Sequence, residues 1–312
     1  MIRQLSPIDL PYLIPIRSML SYDKACPRDN LGISQHTMTA MEVFLGQWVN
    51  FKLRQRQQSW ICTDEKGILG FASARCCTES FAWEIDHLLL TRNDDKGICG
   101  DLLHTIAIDS RSWSAQRIFL RLAANSPLLN NVCQVGFTPY LHECLYQLNT
   151  RWQGKKTDKT ARLTIRPVGK DDEYRIFELY NTAFPASVRR VEGITFGEWK
   201  EVRGSLACQQ WKKQYFGEYK SDIKAQFKIT TQGSIGQFEA IIHSEENVEE
   251  ILSQIIRYVS GFSIVRCLVP GHDVVLASAL KSLGFIPVAE YDVLANLSAI
   301  RVNGPELMPV HI

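Results

Sequence analysis

The chain has 312 residues, enough for two domains that each bury a core of their own. Apolar residues make up 45% and charged ones 22%, an ordinary globular balance, and a formal net charge of +2 gives no electrostatic reason to expect nucleic acid as a partner. No apolar run approaches the roughly 20 residues that cross a bilayer, so a membrane is not an expected partner either.

The first half opens at Met1-Ile2-Arg3-Gln4, a strand pattern over residues 2–5 with no signal-peptide core, which points to the cytoplasm. An amphipathic segment follows over 9–20 and a stretch of turn formers over 21–36. A helical pattern over 37–51 then puts Met41, Phe44, Leu45 and Val49 on one face. Strands are predicted at 59–63, 68–76 and 81–90, the first two joined by the turn Asp64-Glu65-Lys66-Gly67. The third runs into a glycine-bearing loop and a helix whose Ile98, Leu102, Leu103 and Ile106 share a face. A strand over 118–122, a short helix over 127–135 and a strand over 141–148 close this half. Nine cysteines stand singly apart from Cys76-Cys77, with no C-x-x-C pair, and no two histidines have H-x-x-x-H spacing. That pattern fits neither a disulfide framework nor a metal site; Cys76 and Cys77 read as strand cysteines rather than nucleophiles.

Residues 151–162, with Gly154, Lys155, Lys156 and Lys159, read as a solvated linker between a domain over 1–150 and another over 163–312. The second half repeats the order: a strand over 163–166, a helix over 171–184, then a lysine-rich stretch with Trp199, Trp211, Tyr215, Phe216 and Tyr219. That stretch is either a stacking or recognition surface or a face that packs against the first domain. Strands at 225–230 and 235–243 precede a helix that carries Val248, Ile251, Leu252, Ile255, Ile256 and Val259 at helical spacing, with Asn247 and Glu250 as a capping box. Strand, helix and strand over 262–269, 274–283 and 288–297 finish the chain. Each half is therefore α/β or α+β, a mixed central sheet flanked by helices.

The halves repeat one another at both of their ends. Ile2-Arg3, Asp9 and Leu13 return 163 positions later as Ile165-Arg166, Asp172 and Ile176, and Gly136-Phe137-Thr138-Pro139 returns as Gly284-Phe285-Ile286-Pro287. A period this long marks a duplicated domain rather than a solenoid unit.

This order, with a glycine-bearing strand-to-helix junction and a G-F before the last strand, resembles the GNAT superfamily of N-acetyltransferases, in two tandem copies over nearly the whole chain. In that family the junction Q/R-x-x-G-x-G/A wraps backbone N–H groups around the pyrophosphate of acetyl-coenzyme A, the co-substrate, and no metal is implied. A helix N-terminus suits an anion because its donors are unpaired and its dipole end is positive. Here the junction reads Asp94-Asp95-Lys96-Gly97-Ile98-Cys99-Gly100: Gly97 matches the central glycine and Cys99 is the small last residue. Asp94 departs from Gln or Arg and, with Asp95 and Asp101 against Arg92 and Lys96, leaves the loop net negative. The resemblance implies a pantetheine groove along Leu88, Leu89 and Leu90, with Asn125 contacting the arm. The second junction, Ile242-His243-Ser244-Glu245-Glu246-Asn247, has no glycine, and with Glu249 and Glu250 it would repel a pyrophosphate, so the second copy is expected not to bind the coenzyme.

Acyl transfer to an amine needs a proton acceptor, since an ammonium has a pKa of about 10. The strand Trp83-Glu84-Ile85-Asp86-His87-Leu88-Leu89 offers two carboxylates on one face by alternation. Glu84 is the first candidate base, Asp86 the second and His87, on the other face, the third. Relatives carry a tyrosine acid four residues before the G-F glycine; Val132 and Leu280 stand there instead, leaving Tyr140 or Tyr146 as substitutes. The expectation is an N-acyltransferase acting on an unidentified small-molecule or peptide amine, as a monomer or homodimer. The alternative is an inactive tandem module that binds a metabolite or a partner protein.

Overall fold

The computed structural model describes residues 1–6, 9, 24–27, 57–65, 67–76, 82–91, 96–112, 115–149, 163–200, 213–220, 222–243 and 248–297. The helical patterns over 9–20 and 37–51, the loop aspartates 94 and 95, the linker 151–162, Cys77, Trp211 and the junction 244–247 lie outside them, apart from Asp9 itself.

Twelve strands form one mixed sheet among the described residues. They are β1 (Ile2–Gln4), β2 (Gln57–Asp64), β3 (Gly67–Cys76), β4 (Ala82–Leu90), β5 (Arg117–Ala123) and β6 (Thr138–Leu148), then β7 (Thr164–Pro167), β8 (Lys213–Tyr219), β9 (Asp222–Gln232), β10 (Ile235–Ile242), β11 (Ile264–Pro270) and β12 (Ile286–Leu297). The helices are α1 (Lys96–Ser112), α2 (Leu129–Gln134), α3 (Glu173–Ala183), α4 (Ala186–Glu192), α5 (Val248–Arg257) and α6 (Val274–Ser282). The stretch read as lysine-rich is thus partly a strand, β8, with Phe216 in the core and Tyr215 stacked on Phe227. Trp199 packs with Phe177 and Phe196, so Trp199, Tyr215 and Phe216 pack mainly within the second half rather than as a face against the first, and Tyr219 is exposed.

The strand order is β1-β2-β3-β4-β5-β12-β6-β11-β10-β9-β8-β7. Each half therefore gives its last strand to the other. β12 pairs antiparallel with β5 from Tyr291↔Ala123 to Leu297↔Arg117, and β6 pairs antiparallel with β11 from Val265↔Leu148 to Pro270↔Glu143. β6 and β12 also pair with each other at the centre, so the division in sequence and the division in space do not coincide.

The repeated residues build the same devices twice. Arg3 donates to both carboxylate oxygens of Asp9 at 2.5 and 2.6 Å, and Arg166 does the same to Asp172 at 2.6 and 2.8 Å. The aspartates also accept from the backbone N–H of Ser6 (2.9 Å) and Gly169 (2.7 Å), fixing the exit from the first strand of each half. At the other end, Gly136 and Gly284 adopt φ of +93° and +90°, where a side chain would be strained. Their N–H groups bond back to Cys133 and Lys281, and those of Phe137 and Phe285 to Val132 and Leu280, which is the Schellman pattern. Both phenylalanines and both back-bonded residues are buried, so the G-F repeat is a helix stop that plugs a core.

Cys99, Leu102, Leu103 and Ile106 of α1 are buried in the first core, as their spacing predicts, and each fully buried Leu or Ile stabilises by about 1.5–3 kcal/mol. α1 approaches β3 so closely that a Cβ on Gly70 would lie 2.8 Å from Ile98 Cγ2. That contact sets the height of the α1 N-terminus above the sheet.

Candidate active site

In the first half, β4 and β5 run parallel and pair only at Ala82↔Arg117, Trp83↔Ile118 and Glu84↔Phe119. Beyond Glu84 the strands part, and the fork opens toward the end of β4, six residues before α1 begins. Glu84 is buried at the apex. Its Oε2 accepts from Arg75 Nε (3.2 Å) and Nη2 (2.7 Å), and its Oε1 lies 3.9 Å from Arg121 Nη1. Arg121 Nε in turn donates to Glu143 Oε2 at 2.9 Å, across the exchanged strand β12. The result is an alternating chain, Arg75–Glu84–Arg121–Glu143, in which each buried charge has an opposite neighbour. Removing one member would leave the next unpaired in a poorly solvated place, whereas the intact chain offsets its own desolvation.

Asp86 is buried too, but is held differently. It accepts from Ser73 Oγ at 2.5 Å and Gln57 Nε2 at 2.9 Å, beside a register shift between Ser73 and Ala74. His87 is also buried and pairs in register with Ser73. Leu88 and Leu90 turn into the core under α1, so the groove offers a ligand their backbone rather than their side chains; Leu89 is half-buried.

The fork is bridged. Lys24 N donates to Leu88 O on β4 and Cys26 N to Arg121 O on β5, both at 2.9 Å, with Ala25 buried between them. Residues 21–36 read in sequence as turn formers and, by the resemblance, as a segment that varies with the acceptor; nothing in the local pattern marks Lys24-Ala25-Cys26 as a segment that joins two strands.

At the N-terminus of α1, Lys96 and Gly97 are exposed, Ile98 and Gly100 are half-buried, and the first helical turn contains no acid. The Cys99 side chain faces the core, so it would serve a phosphate only through its backbone N–H. Asn125 is exposed in the turn that follows β5.

Val132 and Leu280 are buried partners of the G-F phenylalanines and offer no acid. Tyr146 lies in the second core, where burial pushes its phenol up. Tyr140 packs instead against Phe119, the residue paired with Glu84, at 6.0 Å between ring centroids. Its hydroxyl donates to Glu192 Oε1 (3.2 Å), and Tyr180 donates to Glu192 Oε2 (2.8 Å). Glu192 is on α4 of the second half, and Arg117 reaches Glu198 of that half at 3.2 Å. Burial would raise the Glu198 carboxyl, but the Thr195 and Ile194 N–H groups and Arg117 hold it below its ordinary value. The second half therefore walls the base of the first fork. Arg75, Arg121, Glu143 and Glu192 went unnoticed in the sequence, although an arginine inside the apolar run Ile118–Leu122 was a usable signal.

The second half has the equivalent fork. β10 and β11 pair from Ile235↔Ile264 to Phe238↔Cys267 and then part. Counting from the first paired residue puts Gln237 where Glu84 stands and Glu239 where Asp86 stands. Glu249 and Glu250 occupy the first turn of α5. Among the described residues, no group of three or more possible metal ligands converges, and no helix is long and apolar enough to cross a membrane.

No family model and no curated protein matches the chain. Solved structures do. A GCN5-related N-acetyltransferase from Sphaerobacter thermophilus matches with a TM-score of 0.61 at 16% identity, over 96% of both chains. A tandem GNAT protein from the clavulanic acid biosynthesis pathway, solved without AcCoA, matches with a TM-score of 0.56 at 9% identity, over 96% of this chain and 99% of the other. At these identities the likeness concerns the fold. The chain has the tandem GNAT fold, two α/β copies on one mixed sheet, as the repeat and the G-F signature predict.

Proposed function

We propose that the protein is an N-acyltransferase that moves an acetyl or other acyl group from coenzyme A to an amine, with its acyl-coenzyme A site in the first half. The observation that carries this reading is the fork that opens from buried Glu84 and leads to the exposed, acid-free start of α1 at Lys96-Gly97. A pantetheine arm fits such a fork by bonding to the facing edges of two parted strands, where residues 24–27 now bond. The pyrophosphate would meet the N–H groups of Lys96 to Gly100 and the Lys96 ammonium, with Asn125 beside the arm.

In the reaction the amine nitrogen attacks the thioester carbonyl, the C–S bond breaks, and the nitrogen gives up a proton. Glu84 is our candidate acceptor, directly or through water, and Asp86 the second. Arg75 and Arg121 hold the Glu84 carboxylate in place, so its contribution is one of position. The departing thiolate needs little help, since thiols have pKa values near 8.5, and Tyr140 is the nearest candidate acid. Residues 24–27 mimic the arm by donating to both strands. Binding would exchange their two bonds for those of the ligand.

That bridge also favours a second reading. If it is permanent, the fork is closed, and the protein is a non-catalytic tandem module for a metabolite or a partner protein. Calorimetric titration of the whole protein with acetyl-coenzyme A separates the two. Saturable one-to-one binding that Gly97→Glu abolishes supports the transferase; no binding at about millimolar ligand supports the module. Cysteines scattered along the chain with no C-x-x-C pair suit the reducing cytoplasm we assign.

A further inference from the structure

We propose that Arg121 binds the carbonyl oxygen of the acyl thioester and stabilises the negative charge which that oxygen gains when the amine attacks. The assignment rests on the transferase reading and adds one residue to the same fork.

The chain's own residues mark the place. Lys24 N meets Leu88 O, well beyond the apex on β4, and Cys26 N meets Arg121 O, closer to the apex on β5. The segment therefore crosses the fork from its open end toward its apex, much as a short inserted strand would. Ala25 turns into the core beneath α1, and Cys26 packs against the cluster of Leu145, Leu268 and Tyr291. At the apex end the segment presents a carbonyl, and Cys26 O accepts from Arg121 Nη1 at 3.4 Å. A carbonyl of the protein thus stands where a ligand's carbonyl would stand once the segment is displaced.

Arg121 is placed for that exchange. Its side chain is 5% exposed, and its Nε donates to Glu143 Oε2 at 2.9 Å, which fixes the guanidinium plane from across β12. Nη1 stands between two oxygens, Cys26 O and Glu84 Oε1, and the latter, at 3.9 Å, is beyond hydrogen-bond reach. When residues 24–27 leave, a buried cationic N–H loses its acceptor, which is costly. A thioester oxygen restores the bond, and the bond strengthens as that oxygen becomes anionic. Arg75 is committed elsewhere, since its Nε and Nη2 both donate to Glu84 Oε2 from β3, outside the fork.

The step balances with these groups alone. The amine nitrogen bonds to the carbonyl carbon, the C=O π pair moves onto the oxygen facing Arg121 Nη1, and the nitrogen's proton passes to Glu84. The pair then returns, the C–S bond breaks, and the thiolate leaves with the coenzyme. Arg121 serves the oxygen and Glu84 the proton, side by side at the apex.

The test is a calorimetric titration of the whole protein with acetyl-coenzyme A, with S-ethyl-coenzyme A, which has two hydrogens in place of the carbonyl oxygen, and with coenzyme A. The parent should bind the acetyl ligand at least about tenfold more tightly than the ethyl one. Glu143→Gln, which keeps Arg121, should keep that preference. Arg121→Met combined with Glu143→Gln removes the cation without stranding the acid. That variant should bind the two ligands equally and lose about 10²–10³-fold in kcat. If it does not fold, Arg121→Lys takes its place: a single ammonium cannot serve Glu143 and the carbonyl in the fixed geometry of a guanidinium, so the preference should again be lost. Equal affinity of the parent for the acetyl and ethyl ligands would overturn the proposal and leave the transferase reading standing, as would a preference that survives the loss of Arg121. No binding of any of the three at about millimolar concentration would end both.

Discussion

The two forks begin alike and end differently. Both are made by parallel strands that pair for a few residues and then part, and both halves are framed by the same Arg–Asp pair and the same glycine helix stop. The first fork is filled by a run of alternating charges and by the chain's own residues 24–27, while the second holds a small cleft lined by Glu143, Trp199, Gln226 and Glu239, where the Gln226 amide and the Trp199 indole N–H have no acceptor. The contrast teaches that duplication keeps what sets the frame and changes what lies between the parted strands.

The harshest way to break the comparison is to cut it in two. A fragment of residues 1–150 keeps β6 but loses β12, so β5 gains an open edge and β6 loses both neighbours. The fragment is expected to run as a dimer in light scattering, with two copies exchanging β6. A stable folded monomer would show that the halves are independent domains.

Next comes Glu84→Gln. Turnover with acetyl-coenzyme A and an accepted amine should fall about 10²–10⁴-fold with coenzyme binding retained, whereas Gln237→Glu at the matching position of the second half should not create activity. Undiminished turnover in Glu84→Gln would remove it as the base.

Acid titration probes the part the halves share. Arg166, with the Gly169 N–H, holds the Asp172 carboxyl down at about 2, and Arg3 lowers Asp9 in the same direction. A depressed carboxyl contributes stability that is complete above its unfolded pKa and is lost as pH falls through the folded one, here between about 4 and 2. Asp172→Asn should therefore cost about 1–2 kcal/mol at neutral pH, discounted for the partly exposed Arg166, and should flatten the pH dependence of urea midpoints in that window. A variant that is as stable as the parent at pH 7 would count against the pair as a fold determinant.

The smallest effect concerns the bridge. Cys26→Pro removes the N–H that bonds to Arg121 O, worth about 1 kcal/mol. If residues 24–27 compete with the pantetheine arm, coenzyme affinity should rise roughly fivefold in the same titration. Lower affinity would mean that the bridge shapes the groove rather than blocking it.

Much of this was legible in the sequence, for definable reasons. Strand and helix periodicities and the long repeat carry local geometry, and most strands and helices among the described residues follow them, the strand Lys213–Tyr219 and the helix Ala186–Glu192 being the unpredicted ones. The strand exchange was hidden because alternation tells which face a residue takes but never which neighbour its backbone bonds to. Glu84 was visible as an acid on an apolar strand; its pairing with Arg75 and Arg121 was not, since those residues lie 9 and 37 positions away. Tyr140 could be named as an acid but not located until Phe119 and Glu192 met it from two other elements.

One property of the sheet bears on how the two forks could communicate. The ladder runs from β5 through β12 and β6 to β11, with two register shifts where β12 meets β6, so among the described residues the halves are joined by continuous sheet rather than by a hinge. A rigid-body closure of one half on the other would have to bend this sheet, so a side-chain route between the forks is the more direct one. The Arg121–Glu143 contact already spans that distance, because Glu143 belongs to the lining of the second cleft and Arg121 to the guard of Glu84.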